Sequence, residues 1–220
     1  MDDILQLTTF TLLTGVGATL FALPFGVAIA WVLARREFAG KAVVETLVSL
    51  PLVLPPVATG LILLYLFAPR GPLGRALEAI GLDVVFTWRA VLIAMSIMGL
   101  PLLVRTARAG FEHVSVRYEQ IAFTLGASPA RTLLTITLPL ASRSILAGAV
   151  LAFARALGEF GATIIVAGSI PGRTRTLATA IYAYAETGQD GRAFTLLAVS
   201  AVLSFVSVLY ANRLSAAWAH

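Results

Sequence analysis

The chain has 220 residues, of which 59% are hydrophobic and 12% are charged, and its formal net charge is +5. Soluble domains carry roughly one quarter charged residues, so this composition excludes an ordinary soluble protein and indicates an integral membrane protein. The basic residues do not cluster with aromatic residues on a polar face, which argues against a nucleic-acid-binding protein.

The first two apolar runs predict two membrane-spanning helices. Thr8 to Ala34 contains no charged residue and is long enough to cross a ~30 Å hydrocarbon core. Acidic rather than basic residues precede it, and it is too long for a signal core, so we interpret it as a retained span. Leu47 to Ala68 predicts the second span. Because Pro51, Pro55 and Pro56 remove backbone donors, we expect that span to be kinked or to start irregularly.

The next stretch predicts an external loop and three further spans. Pro69 to Phe86 has the turn residues of a loop, with a short amphipathic helix from Leu73 to Ile80. Ala90 to Val104 predicts a third span, which is short and requires continuation at its ends to bridge the core. The fourth predicted span opens at Pro139 and runs through Ala154, and the fifth runs from Ala193 to Ala211.

The region between the fourth and fifth spans allows two interpretations. Leu157 to Ile170 is apolar but interrupted by glycines, and Leu177 to Ala185 is too short to cross alone. The region is either an extension of the fourth span followed by a re-entrant or external helix, or a full sixth span. A sixth span would move one terminus across the membrane.

The distribution of basic residues favours five spans with the N-terminus outside and the C-terminus in the cytoplasm. Nine basic residues then lie on the cytoplasmic side: Arg35, Arg36, Lys41, Arg105, Arg108, Arg117, Arg131, Arg143 and Arg213. Six lie on the other side, namely Arg70, Arg75, Arg89, Arg173, Arg175 and Arg192, and Arg155 lies at membrane depth. This bias agrees with the positive-inside rule, and Trp88 and Trp218 fall where interfacial anchors are expected.

A polar segment interrupts the apolar sequence between the third and fourth spans. Tyr118 to Pro139 reads YEQIAFTLGASPARTLLTITLP. Gly126 tolerates a positive φ and Ser128 precedes a proline, so the first helix must end before this point. From the residues alone, the segment is either an ordinary amphipathic interfacial helix or a docking segment with one apolar face.

The spacing in this segment resembles the cytoplasmic loop of ABC importer permease subunits. That pattern is Glu-Ala-Ala, three residues, Gly, nine residues, Ile, one residue, Leu-Pro. The half from Gly to Pro matches at every position, whereas Gln120 and Ile121 stand where Glu and the first Ala belong. The resemblance implies a coupling helix, within about residues 112–139, that docks on an ATPase subunit through Glu119, Ala122, Gly126, Ala127, Ile136, Leu138 and Pro139.

Two longer motifs resemble the permease subunits of molybdate importers, with sulfate permeases as near relatives. They are LPLVLPPVATG from Leu50 to Gly60 and FARALGEFGATIIVAGSIPGRTRT from Phe153 to Thr176. The resemblance implies an all-α polytopic membrane protein with the type I ABC importer permease fold. It would form a single transmembrane domain over residues 1–220, with five principal spans (six possible) and a cytoplasmic coupling helix.

The same resemblance implies where the chain resides and what it binds. The location is a bacterial or archaeal cell (inner) membrane. The partners are two copies of an ABC ATPase, a second copy of the chain and an external oxyanion-binding protein. Molybdate, tungstate and sulfate are tetrahedral dianions of similar shape, so the substrate stays open among them.

Little in the sequence indicates an enzyme. No G-x-x-x-x-G-K-[ST] motif occurs, so ATP hydrolysis by a P-loop must come from a partner. No cysteine is present and only two histidines, which makes a metal site improbable, and no cofactor is expected. The serines and threonines lack a neighbouring base for nucleophilic catalysis. The competing class is a stand-alone secondary transporter or channel.

One pair of opposite charges lies deep in a predicted span. Arg155 and Glu159 are four residues apart, and charges inside a membrane usually face the bundle interior or water. Arg155 could attract a dianion. Alternatively, the two charges neutralise each other and lock the helix, or Glu159 lies at the external interface. Together with the helix breaks at Pro55 and Gly161, these residues are candidates for the translocation pathway.

Overall fold

The structure, a computed structural model, describes the backbone of residues 2–216 and the side chains of residues 3–213. Trp218, one of the two expected interfacial anchors, lies outside the described residues. Every regular element within residues 2–216 is helical. In chain order the helices are α1 (Asp2–Arg35), α2 (Lys41–Val53), α3 (Pro56–Phe67), α4 (Pro72–Glu78), α5 (Trp88–His113), α6 (Val116–Thr124), α7 (Pro129–Thr132), a π-helical turn (Leu133–Thr137), α8 (Leu138–Leu157), α9 (Gly161–Val166), α10 (Leu177–Glu186) and α11 (Asp190–Ala216).

Four helical stretches are long and apolar enough to cross a membrane, and they coincide with predicted spans. These are α1, α5, the continuous helix from Pro129 to Leu157, and α11. The third span gains the continuation that its short apolar run requires, because α5 extends nine residues beyond Val104 to His113. The short helix expected in the external loop is also present, as α4. The multi-pass, all-α architecture is therefore confirmed.

The second predicted span is broken more severely than a kink. α2 and α3 meet at an angle of 112° across a break of two residues. Leu54 and Pro55 each precede a proline, and both adopt extended backbone conformations, as that position favours. Each half is about 20 Å long, so neither crosses a bilayer alone. The expected disruption is confirmed, and α2 and α3 together form either one broken span or a re-entrant pair.

The fourth span begins ten residues before its predicted start. The helix runs from Pro129 to Leu157, so Pro139 lies inside it. Proline cannot donate to the carbonyl four residues earlier, and the backbone accommodates this by widening into the π-helical turn. At its end, the N–H of Leu138 donates to the carbonyl of Leu133. Pro139 therefore lies at the start of α8, as its sequence position indicated, but it does not open the span, because the π turn before it continues the helix from Pro129.

Helix α5 forms the centre of the bundle, with α1 and α8 packed along it. Small residues allow the close approach to α8: a Cβ on Gly99 would lie 3.0 Å from the carbonyl oxygen of Ala152, and one on Gly110 would lie 2.3 Å from Ser144 Cβ. The pairing of these positions shows that α5 and α8 run antiparallel. Ser96 adds a polar link, since its hydroxyl shares its proton between the carbonyl of Leu92 on α5 at 2.7 Å and that of Ala18 on α1 at 3.0 Å.

The region between α8 and α11 contains two short helices rather than a sixth span. α9 has 6 residues and α10 has 10, and neither reaches the length of a crossing. α10 packs beside the start of α1, where Leu177 donates its N–H to Thr11 at 2.9 Å. Within the described residues the structure thus contains four spans, or five when the bent α2–α3 pair is counted as one.

Candidate functional site

The polar segment folds as two short helices joined by a glycine turn. Ser115 caps the start of α6 by accepting a hydrogen bond from the N–H of Arg117. At the other end, Gly126 has a φ of 83°, the left-handed conformation that favours glycine. The N–H of Ala127 donates to the carbonyl of Ala122 at 2.9 Å, and that of Gly126 donates to Phe123 at 3.0 Å. These two bonds form a Schellman motif.

This geometry gives three of the sequence-assigned residues a defined local role. Ala122, Gly126 and Ala127 end α6 and turn the chain into α7, which starts at Pro129. A side chain at position 126 would have free space around it in the described structure, so the backbone conformation alone requires glycine there. The position of Gly126 in the motif therefore encodes a helix stop.

One face of α6 is apolar and exposed. Tyr118, Ile121 and Leu125 follow one another at helical spacing and are 54%, 48% and 82% exposed. Leu134, on the adjoining π turn, is 63% exposed. We call these four side chains the docking face. Because Ile121 lies on this exposed face, its departure from the family pattern creates no packing conflict.

Glu119 lies on the opposite face of α6 and points into the protein. Its side chain is 15% exposed, and Oε1 accepts hydrogen bonds from Arg35 Nε at 3.0 Å and from Thr137 Oγ1 at 2.8 Å. Arg35 also donates to the carbonyl of Val114 at 2.8 Å. The sequence could not reveal this cluster, because Arg35 and Glu119 are separated by 84 residues and belong to no shared motif.

The remaining residues of the coupling motif differ in their surroundings. Ile136 is half-buried in the π turn. Leu138 packs against a buried cluster that includes Phe111 and Val114, and Pro139 is exposed. The second half of the motif therefore joins the docking face to the core between α5 and α8.

The membrane-depth ion pair forms, but in a different setting from the one predicted. Arg155 Nη2 lies 2.8 Å from Glu159 Oε2. Helix α8 ends at Leu157, so Glu159 lies in the turn before α9 and not on a shared helix face. The break at Gly158 is what places it there. Its side chain is 1% exposed, and Oε1 accepts the N–H of Ala162 at 2.8 Å.

Glu159 consequently caps α9 and fixes it to the end of α8. The carboxylate satisfies one of the free N–H groups at the start of α9, while Arg155 balances its charge. The side chain of Arg155 is 26% exposed, so its guanidinium reaches beyond the pair.

The two helix breaks that the sequence singled out meet in space. A Cβ on Gly161 would lie 2.7 Å from Pro56 Cβ, and one on Gly60 would lie 2.7 Å from the carbonyl oxygen of Ala162. α3 and α9 thus pack backbone to backbone. Pro55 itself is exposed and forms the cap of α3.

Two buried hydroxyl groups lie on these same helices. Thr59 on α3 and Thr163 on α9 are 6% and 0% exposed, and neither hydroxyl has a hydrogen-bond partner among the described residues. Burying an unpaired hydroxyl costs free energy, so these groups lower the stability of the α3–α9 contact.

A further polar link ties the first helix to α10. The hydroxyl of Tyr184 donates to Asp3. This hydrogen bond, assisted by partial burial, raises the pKa of Tyr184 above its ordinary value. The sequence contains no local signal for this contact.

Comparison with known proteins gives consistent matches. Residues 22–219 match the family model of binding-protein-dependent transport system inner membrane components. The chain is 46% identical over 200 residues to the molybdenum transport system permease protein ModB of Escherichia coli K12, covering 90% of this chain and 87% of that protein. It is 40% identical to ModB of Haemophilus influenzae, covering 93% and 90% of the two chains.

More distant relatives and solved structures extend the comparison. The sulfate transport system permease protein CysT of Salmonella typhimurium is 37% identical, over 78% of this chain and 62% of that protein. A bacterial alginate ABC transporter structure superposes with a TM-score of 0.71 at 21% identity, covering 98% of this chain and 79% of the other. The MetNI methionine ABC transporter superposes with a TM-score of 0.68 at 16% identity, covering 98% of this chain and 94% of the other. These structures confirm the predicted fold of type I ABC importer permeases.

Proposed function

The chain belongs to the family of binding-protein-dependent transport system inner membrane components, and on this basis we propose that it is the permease subunit of an ATP-driven molybdate importer. The observation that supports molybdate as the substrate is the 46% identity of this chain to the molybdenum permease of Escherichia coli along nearly the whole of both chains. Tungstate has the same charge as molybdate and a similar shape, so we include it as a proposed substrate.

The proposed energy source is a separate ATPase, present as two copies around a dimer of this chain. The docking face supports this part of the proposal. Exposed apolar side chains on the membrane-spanning helices can contact lipid, but Tyr118, Ile121 and Leu125 belong to a charged segment between two spans. An exposed apolar face of that kind is typical of a protein interface. ATP-driven closure of the partner would push α6 and tilt the helix that contains Pro139.

The proposed pathway runs beside the two helix breaks. Arg155, Glu159, Pro55 and Gly161 are its candidate residues, as broken helices and intramembrane charges are typical of transport routes. Arg155 would attract the dianion through the exposed part of its guanidinium, while Glu159 holds the arginine and α9 in place. We expect Arg155→Leu to reduce uptake, and unchanged uptake rate and affinity would remove Arg155 from the pathway.

The proposed orientation has the N-terminus outside and the coupling segment in the cytoplasm. The chain contains no cysteine, so single cysteines report sidedness without background labelling. In intact cells, an impermeant maleimide should label Asp3→Cys, whereas Arg117→Cys should react only after permeabilisation. The reverse pattern would invert the topology.

Co-purification tests the ATPase partner. The wild-type chain, expressed with its partner ATPase, should retain that subunit through purification in detergent. Leu125→Asp places a charge at the most exposed position of the docking face and should abolish retention. Thr124→Ala is the matched control, because Thr124 is the exposed neighbour of Leu125 and lies outside the docking face. This variant should retain the ATPase. Retention of the ATPase by Leu125→Asp would exclude this face as the dock.

Two other functions remain distinguishable by experiment. Sulfate transport is the second candidate, supported by the 37% identity to the sulfate permease. Uptake of molybdenum by cells carrying the complex, measured by mass spectrometry, should be reduced by excess tungstate far more than by excess sulfate. The opposite ranking would assign sulfate as the substrate. Flux through the chain alone in liposomes would instead indicate a channel or a secondary transporter.

A further inference from the structure

Glu119 stands out because its carboxylate faces away from the docking face. Both of its hydrogen-bond donors belong to this chain: Arg35 at the end of α1 and Thr137 in the π turn that leads into α8. The side chains of Arg35 and Glu119 are 11% and 15% exposed. A carboxylate shielded in this way makes stronger ionic hydrogen bonds than one at an open surface.

The cluster links four elements through a few atoms. Glu119 belongs to α6, Arg35 to α1 and Thr137 to the π turn, while the second hydrogen bond of Arg35 reaches the carbonyl of Val114 at the end of α5. Any displacement of α6 therefore acts on the first span and on the base of α8 together.

Little else holds α6 to the bundle. Of its nine side chains, all within the described range, Ala122 is the one that is buried. A cavity of about 320 Å³ opens between α6 and the end of α1, lined by Trp31, Phe123 and Thr132 among others. Apolar packing across this gap is therefore sparse, and the polar cluster supplies the firm connection.

We propose that Glu119 is a positioning residue that transmits movement of the coupling helix to α1 and α8, rather than a contact to the ATPase. This inference rests on the proposed function, because it requires an ATPase that moves α6. The docking face receives the partner, and Glu119, on the other side of the same helix, passes the displacement on. Opposite faces of α6 thus have separate functions: one binds the ATPase, and the other transmits the displacement to α1 and α8.

The test measures assembly and coupling separately. The chain, its partner ATPase and the molybdate-loaded binding protein are reconstituted in liposomes, and molybdate uptake and ATP hydrolysis are measured together. Glu119→Gln removes the charge while keeping the shape of the side chain. It should retain the ATPase as the wild type does, yet transport at least about fivefold fewer anions per ATP. Thr124→Ala, at an exposed position of α6 outside the docking face, should behave as wild type.

A double-mutant cycle identifies the partner of Glu119. If the residue acts through Arg35, the double variant Arg35→Gln with Glu119→Gln should lose no more coupling than the worse single variant. Thr137→Val should lower the ratio of transport to hydrolysis through the other hydrogen bond. Independent, additive losses for Arg35 and Glu119 would overturn the proposal.

A distance measurement gives a readout that does not depend on activity. Spin labels on Glu37→Cys, just after α1, and Arg117→Cys, on α6, report whether the two elements move together. In complexes in which one of the two copies of the chain carries the labels and Glu119 is present, the distance should remain a single narrow distribution with and without ATP. Glu119→Gln should broaden it when ATP is added. An unchanged narrow distribution in Glu119→Gln would overturn the inference.

The outcomes separate this inference from the proposed function. Failure of the wild-type chain to bind the ATPase would overturn the proposed function and the inference with it. Normal binding by wild type, with loss of binding in Glu119→Gln as severe as in Leu125→Asp, would overturn the inference alone. That result would make Glu119 a contact to the ATPase.

Discussion

Gly161 lies at one of the two tightest points between α3 and α9, and its replacement by alanine tests whether these helices meet. The new Cβ would lie 2.7 Å from Pro56 Cβ and 3.2 Å from the backbone nitrogen of Val57. The first distance is well below van der Waals contact, and neither a proline ring nor a helix backbone can rotate away. Such overpacking costs about 1–3 kcal/mol of the free energy of unfolding.

Gly158 provides a matched control three residues earlier in the same turn. Its φ is −92°, which alanine adopts without strain, and a Cβ there would meet nothing within 4 Å in the described structure. Gly158→Ala should therefore be neutral, or stabilise the protein slightly by restricting the unfolded chain. The two variants make the same chemical change and differ in the space available.

Thermal unfolding in detergent distinguishes the two variants. For a chain of this size, 1 kcal/mol shifts the melting temperature by about 2–4 °C, so Gly161→Ala should lower it by about 2–12 °C. Gly158→Ala should melt at or slightly above the wild-type temperature. Equal melting temperatures for the two variants would refute the close contact between α3 and α9.

Three further changes test other parts of the structure. Gly126→Ala forces a side chain into a left-handed conformation at a cost of about 1 kcal/mol, so we expect weaker ATPase binding and a melting temperature lowered by about 2–4 °C. Unchanged affinity would contradict a role of the glycine turn in binding. Ser96→Ala removes the hydrogen bond between α5 and α1 and should cost about 0.6 kcal/mol, measured by unfolding in mixed micelles; a stabilised variant would argue against that bond. Tyr184→Phe removes the bond to Asp3. Since that bond raises the pKa of Tyr184 in the folded state, its stabilisation should be present below about pH 10 and disappear as the pH rises through the raised pKa. A wild-type advantage that persisted at higher pH would contradict this assignment.

Apolar run length was sufficient to predict the spans but not their interruptions. Thr8–Ala34 and Ala193–Ala211 lie inside α1 and α11, because a charge-free run of that length has no stable alternative to helix in lipid. Pro51, Pro55 and Pro56 predicted a disruption between α2 and α3. The angle of 112° depends on how α3 packs against α9, which no local pattern encodes.

Local rules failed where the backbone had more than one way to accommodate a residue. Pro139 was interpreted as a helix start, yet the π turn before it lets the helix continue. Gly158 ends α8 early, so Glu159 leaves the helix face that its spacing to Arg155 suggested. In the second case, the four-residue helical period was applied across a point where the helix ends.

The glycine turn of the coupling motif could be predicted from the sequence, whereas the polar contacts of the motif could not. Gly126 ends the helix where the sequence indicated, and Ala127 completes the motif, since a left-handed residue and its hydrogen bonds are local. The hydrogen-bond donors to Glu119 are Arg35 and Thr137, which are 84 and 18 residues away in the sequence. Contacts of this kind depend on the tertiary arrangement of α1, α6 and α8.

ATP-dependent molybdate uptake into liposomes tests the central claim most directly. The liposomes contain the chain, with or without its partner ATPase, and the loaded binding protein is added outside. The account predicts accumulation only when the ATPase, internal ATP and the binding protein are all present. Accumulation without the ATPase, or an equal rate without ATP, would contradict an ATP-driven permease.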